Sequence, residues 1–262
     1  AIAVLGVLAF HAGFGVTGGF AGVDVFFVIS GYLITRQIVA DRRAGTFTFA
    51  GFIERRVMRI MPALLVVLAA SALLAGILFM PAEFTLFGRS LMLSVLSVSN
   101  FGFWLESGYF DVSAQVKPLL HTWSLAVEWQ FYLLLPLLFM AFGRRHSAWV
   151  IPALLFLCLA SAVGGMAWAA TDPGASFFLL PPRFWELGAG CLLALSPAIA
   201  PRTARQGSAM AFGGLALIAY AFLASSGLQS FPSLGALAAV LGASLVVSGG
   251  LIPNAVSALV SL

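Results

Sequence analysis

Long apolar stretches, each interrupted by a few arginines, glycines or prolines, set the rhythm of this chain. They fall near residues 1–14, 20–39, 60–80, 119–142, 149–170, 181–196, 208–226 and 234–251. A helix needs about 20 apolar residues to cross hydrocarbon, and most of these runs approach that length. Runs such as ALLVVLAASALLAGILFM (63–80) lack the alternation of a barrel strand, so the spans are expected to be helical. The pattern predicts an all-α, polytopic integral membrane helix bundle of about eight spans. Residues 1–14 are short for a span and are expected to be the remainder of a longer helix, so that the chain is a piece of a larger protein. The stretch from 84 to 104 stands apart, because Arg89, Ser90, Ser94, Ser97, Ser99 and Asn100 interrupt its apolar character.

Composition supports a membrane chain: 61% of residues are hydrophobic and 8% charged, with a mean hydropathy of +1.07. The net charge of +4, from 13 basic and 9 acidic residues, reports orientation rather than a nucleic-acid partner. Arg36, Arg42, Arg43, Arg55, Arg56 and Arg59 mark the loop between the second and third spans as cytoplasmic. Arg144, Arg145, Arg202 and Arg205 belong on the same side. Crossings at 60–80 and 119–142 return the chain to the cytoplasm by Arg144, whereas a further crossing at 84–104 would invert it. Residues 84–104 are therefore expected to be re-entrant or interfacial. Cys158 and Cys191 lie in apolar runs without metal-ligand spacing and are expected to be small core residues. No internal repeat, polar linker or signal-peptide cleavage pattern stands out.

The chemistry is carried by a few polar groups at membrane depth. In LLHTWSLAVEWQFYLLLP (119–136), His121, Ser124, Glu128 and Tyr132 share one helical face. An ionisable group in a span is costly unless it faces protein or water, so Glu128 marks either a cavity or a structural pair between helices. His121 and Glu128 are two turns apart, roughly 10 Å by the helix rise, so each needs another partner. His11 ends the first apolar run, and imidazole suits proton transfer near neutral pH; a core histidine is the alternative. Asp24 follows a glycine-rich turn that brings its helix back beside the first, within reach of His11. Arg55, Arg56 and Arg59 enter the membrane from the cytoplasm, suited to a polyanion, to lipid headgroups or to marking topology. Arg183 and Glu186, at i and i+3, form either an internal salt bridge or part of the cavity. GFGVTG (13–18) matches a dinucleotide-binding fingerprint but follows a membrane helix instead of a strand, and no P-loop, H-E-x-x-H or G-x-S-x-G occurs.

Taken together, AIAVLGVLAFHAG (1–13), GGFAGVDVFFVISGYLIT (18–35), FIERRVMRIMPA (52–63), YFD (109–111), PLLHTWSLAVEWQFYLLLP (118–136) and RFWELGAG (183–190) resemble one family in its order. That family is the membrane-bound acyltransferase 3 proteins, which include bacterial O-antigen and other glycan O-acetyltransferases. The resemblance covers most of the first 190 residues. His11 matches the histidine taken to be catalytic in the family, whose partner arginine would fall immediately before Ala1. Arg56 and Arg59 match its paired arginines at the cytoplasmic face. The family's usual double glutamate appears here as Glu128 and Trp129, and the chain stops before the family's YLWH helix.

The resemblance implies a single acyltransferase 3-like transmembrane domain over residues 1–262, truncated at both ends, in a bacterial cytoplasmic membrane. It implies transfer of a short acyl group, most often acetyl, from acyl-coenzyme A as co-substrate, with no bound cofactor and no metal, to a hydroxyl on a sugar, a lipopolysaccharide or a similar acceptor. Arg55, Arg56 and Arg59 would hold the donor's phosphates. His11 would remove the hydroxyl proton or relay the acyl group, with Asp24 and Glu128 orienting it. His121, Ser124, Tyr132, Arg183 and Glu186 would line the acceptor cavity. The competing class is a proton-coupled carrier for a sugar or lipid-linked glycan, built on the same buried groups.

Overall fold

The structure, a computed structural model, describes residues 1–107, 117–142, 147–196, 200–224 and 233–253. YFD (109–111), Arg144 and Arg145 lie outside the described residues. Among those described, every regular element is a helix. The first, α1 (Ile2–His11), is stopped by a turn in which Gly13 and Gly15 adopt φ of +72° and +76°, a left-handed conformation open to glycine. The sequence that mimicked a nucleotide fingerprint is this turn. A short 3-10 segment, Gly19–Ala21, leads into α2 (Gly22–Ala44). Gly45, with φ +74°, closes α2, and Arg42 and Arg43 occupy its last turn, where cations complement the helix dipole. Thr48 caps α3 (Phe49–Leu78) by accepting from the Gly51 N–H.

Next come α4 (Pro81–Val95), α5 (Ser99–Glu106), α6 (Thr122–Phe142) and α7 (Val150–Thr171). The short α8 (Pro173–Phe178) runs into α9 (Leu180–Leu195), followed by α10 (Ala204–Ala224) and α11 (Leu234–Gly249). Six helical stretches are long and apolar enough to cross a membrane: Gly19–Ala44, Phe49–Leu78, Thr122–Phe142, Val150–Thr171, Pro173–Leu195 and Ala204–Leu223. Among the described residues these six answer to expected spans, and the count of eight is not confirmed. The runs at 1–14 and 234–251 become helices of 10 and 16 residues; at 1.5 Å per residue both fall short of a ~30 Å hydrocarbon core.

The polar stretch at 84–104 is the α4–α5 pair, broken at Ser97, a non-glycine residue with φ +56°. Neither helix is long enough to span. Ser94, Ser99 and Asn100 are buried and face inward, away from lipid that offers them no partner, whereas Arg89 is exposed. The Ser94 and Thr122 hydroxyls share a hydrogen bond of 2.9 Å, and Thr122 donates to Ser99 at 2.9 Å. Gln130 donates to Asn100 at 2.9 Å, and Asn100 donates to the Phe178 carbonyl at 3.2 Å. This ribbon pins α4 and α5 to α6 and α8.

The centre of the bundle is the pairing of α2 with α9. Gly31 lies against the Leu187 carbonyl, and Gly190 against the backbone of Val28 and Tyr32. Lipid supplies no hydrophobic drive between helices, so close backbone approach at small residues does the work. Farther along, Gly214 and Gly242 join α10 to α11 in the same way. The outward faces are apolar: Leu73, Leu74 and Ile77 on α3 and Phe156 on α7 are all exposed, as lipid contact requires.

These contacts give a direct test. A Cβ at Gly31 would overlap the Leu187 backbone, whereas one at Gly88 meets open space. Gly31→Ala is expected to destabilise by about 1–3 kcal/mol, the usual cost of overpacking. Gly88→Ala should be neutral or gain up to about 1 kcal/mol. Thermal unfolding in detergent would compare the two.

Candidate active site

The principal cavity encloses about 470 Å³ between α1, α2, α5, α6 and α8, within the size range of small-molecule sites. Phe10, Phe26, Phe103, Trp123, Phe177 and Phe178 supply aromatic walls, and polar groups enter at His11, His121, Ser124, Ser107 and Lys117. The end of α1 delivers His11, whose ring meets Phe10 edge-on at 5.2 Å. His121 sits in the turn that starts α6, and Ser124 one turn below donates to the His121 carbonyl at 3.2 Å. Lys117 is paired with Glu106 at 3.5 Å. Burial pushes the His121 imidazole below its ordinary pKa; the Pro118 carbonyl, accepting a hydrogen bond from the ring, acts in the opposite sense, and the charge of His11 adds to the lowering.

Behind the aromatic wall lies a buried ionic triad. Arg183 reaches Asp24 at 2.7 Å and Glu186 at 2.9 Å, and its Nε–H donates to the Phe177 carbonyl at 2.9 Å. The guanidinium also lies over the rings of Phe177 and Trp123, at 4.5 and 5.3 Å. All three charged side chains are at most 3% exposed. Asp24 is thus committed to Arg183 in the wall behind His11 and does not line the cavity. Arg183 and Glu186 do form their i,i+3 pair, with Asp24 as its third member.

The polar face of α6 divides. His121 and Ser124 open on the cavity, while Glu128 and Tyr132 turn toward α2. There the hydroxyls of Ser30 and Tyr132 both donate to Glu128 Oε1 and lie 2.8 Å from each other. Among the described residues, the hydrogen bonds of Glu128 go to Ser30 and Tyr132 and join α6 to α2, not to a histidine. Toward the C-terminal end of α2, Arg56 donates to Gln37 at 2.6 Å and stacks over Phe52 at 5.8 Å. Arg55 pairs with Asp41 at 2.5 Å, and Arg59 is exposed, its charge acting with that of Arg56 on Glu128. Cys158 is half-buried and Cys191 buried, and neither lines the cavity.

The sequence pattern missed Ser30, Gln37, Lys117 and the aromatic wall. Ser30 and Gln37 were findable, since seven residues place them on one face of α2. Trp123, Phe177 and Phe178 look like any core aromatics in a chain this apolar.

Comparison with known proteins fits this geometry. A family described as acyltransferase domain matches residues 1–260, and the chain belongs to this acyltransferase 3 family. It is a multi-pass membrane protein of an acyltransferase class. A Haemophilus influenzae protein of uncharacterised function is 36% identical over 181 residues, 66% of this chain and 74% of that protein. The O-acetyltransferase OatA of Staphylococcus aureus is 34% identical over 200 residues, and the putative peptidoglycan O-acetyltransferase YrhL of Bacillus subtilis 34% over 203. Each match takes in 74% of this chain, which spans only about a third of the length of OatA and YrhL. No solved structure matches.

The triad makes a stability prediction. Arg183→Met leaves two carboxylates buried without their cation and should cost about 3–5 kcal/mol, as broken buried pairs do. Adding Asp24→Asn and Glu186→Gln to that variant should recover most of the loss. Unfolding midpoints of the purified protein would show it; a triple variant no better than the single one would refute charge as the cause.

Proposed function

We propose that the chain is the membrane part of an O-acyltransferase that moves a short acyl group, in the first instance acetyl, from acyl-coenzyme A to a hydroxyl of a cell-surface glycan. The observation that carries this is the placement of two sites at opposite ends of α2. Arg56 bonds to Gln37 near the cytoplasmic end, while Val23 lines the His11 cavity at the other. Fourteen residues of helix separate these levels, roughly 21 Å. An extended pantetheine arm has a reach of this order, so a donor whose phosphates rest on Arg56 and Arg59 presents its thioester at the cavity. Guanidinium forks suit those phosphates.

The cavity suits the acceptor. Flat aromatic walls take the apolar faces of a sugar ring, and His11, His121, Ser124 and Ser107 meet its hydroxyls. His11 exchanges protons with the reacting groups. Glu128, tied to Ser30 and Tyr132, holds α6 against α2 along the donor's path, and the Asp24–Arg183–Glu186 triad fixes the wall behind the acceptor. Similarity to the O-acetyltransferase OatA and to the putative peptidoglycan O-acetyltransferase YrhL supports an acetyl group and a peptidoglycan acceptor; the membrane assigned here is the bacterial cytoplasmic membrane.

Membranes bearing the intact protein, supplied with labelled acetyl-coenzyme A, should transfer label into envelope glycan. His11→Ala should lower turnover about 10²- to 10⁴-fold, the usual contribution of a positioned acid or base. Arg56→Ala should act mainly by raising the donor's KM. Near-wild-type transfer by His11→Ala would remove that residue from the chemistry. No label moving from any acyl-coenzyme A would favour a carrier instead.

A further inference from the structure

Two histidines, not one, open on the cavity, and they arrive by different routes: His11 from the end of α1 and His121 from the turn before α6. They are close enough for the charge on one to act on the other. Their surroundings differ. The His11 ring has an aromatic neighbour, Phe10. The Pro118 carbonyl lies within hydrogen-bonding reach of the His121 ring; a neutral imidazole that donates there carries a lone pair on its other nitrogen. Among the described residues, the other charged groups near this wall are Lys117 and Glu106, paired to each other, and Asp172, which accepts from Trp104 and the Ala175 N–H; Arg183 is shielded behind Trp123 and Phe177.

Resting on the acyl-transfer function proposed above, we propose that His121 is a second catalytic residue, the general base that takes the acceptor hydroxyl proton, with His11 returning a proton to the departing thiol. The hydroxyl oxygen attacks the thioester carbonyl carbon as its proton passes to the free nitrogen of His121. The C–S bond breaks, the thiolate takes a proton from His11, and the proton on His121 passes to His11. Both histidines end as they began, and one ester and one thiol replace the hydroxyl and the thioester. A base must be unprotonated when substrate arrives, and burial together with the neighbouring His11 keeps His121 neutral to lower pH than an ordinary imidazole.

His11, His121 and His146 are the histidines of this chain, and in ring-labelled protein single substitutions at His11 and His121 assign their two signals. In the intact protein, His121 is expected to titrate below the ordinary value of about 6.5. His11→Gln removes the neighbouring charge and should move that midpoint upward. In the transfer assay, His121→Gln should lower kcat about 10²- to 10⁴-fold with little change in the donor's KM. A His121 midpoint at or above the ordinary value, or wild-type turnover by His121→Gln, would overturn the assignment while leaving acyl transfer standing. Failure of the wild type to transfer any label would overturn the acyl-transfer function itself.

Discussion

A guanidinium with 1% exposure, held between two carboxylates in a lipid-embedded bundle, is the constraint on which the rest of this structure depends. Burying such charges is expensive, and their close pairing offsets that cost, although among the described residues Asp24 Oδ2 and Glu186 Oε2 are left without hydrogen-bond partners. Arg183 and Glu186 lie on α9, Asp24 lies on α2, and the carbonyl that accepts from Arg183 belongs to α8. The triad therefore sets the vertical register of α2 against α9. That register brings Gly31 and Gly190 to the points where the two backbones touch. It also turns Trp123 and Phe177 into a wall, with the cation behind them and the cavity in front.

From that register a polar column follows through the bundle. At the cavity end stand His11 and His121; midway along α2 Ser30, Tyr132 and Glu128 share hydrogen bonds; toward its C-terminal end Arg56 reaches Gln37. Every level pairs α2 with a different helix, so α2 is the axis along which both proposed substrates are aligned. A chemistry that must join a donor from one side of a membrane to an acceptor on the other needs such an axis.

The α4–α5 pair shows how polar residues in an apolar stretch settle into structure. Serines and an asparagine that deny 84–104 the character of a span become inward hydrogen-bonding partners for Thr122 and Gln130. Trp104 adds a bond to Asp172 at 2.9 Å, and Asp172 in turn caps α8 through the Ala175 N–H. The floor of the cavity is thereby tied to its rim.

Much of this was legible in the residues alone. Apolar run length reveals a helical membrane protein, because hydrocarbon thickness acts locally on sequence. The family motifs mark His11, Arg56, Arg59 and Glu128 as candidates, with roles that belong to the proposed function. Partnership was not legible. Asp24 appears destined for His11 by proximity in the chain, yet it pairs with an arginine 159 residues away; Glu128 appears to be part of one stripe with His121, yet it faces α2. Helical periodicity assigns a residue to a face, but which helix covers that face depends on how backbones cross, and here small residues and buried charges far apart in sequence decide it. The length of a span is a property of the chain; the partner of a buried charge is a property of the packed bundle.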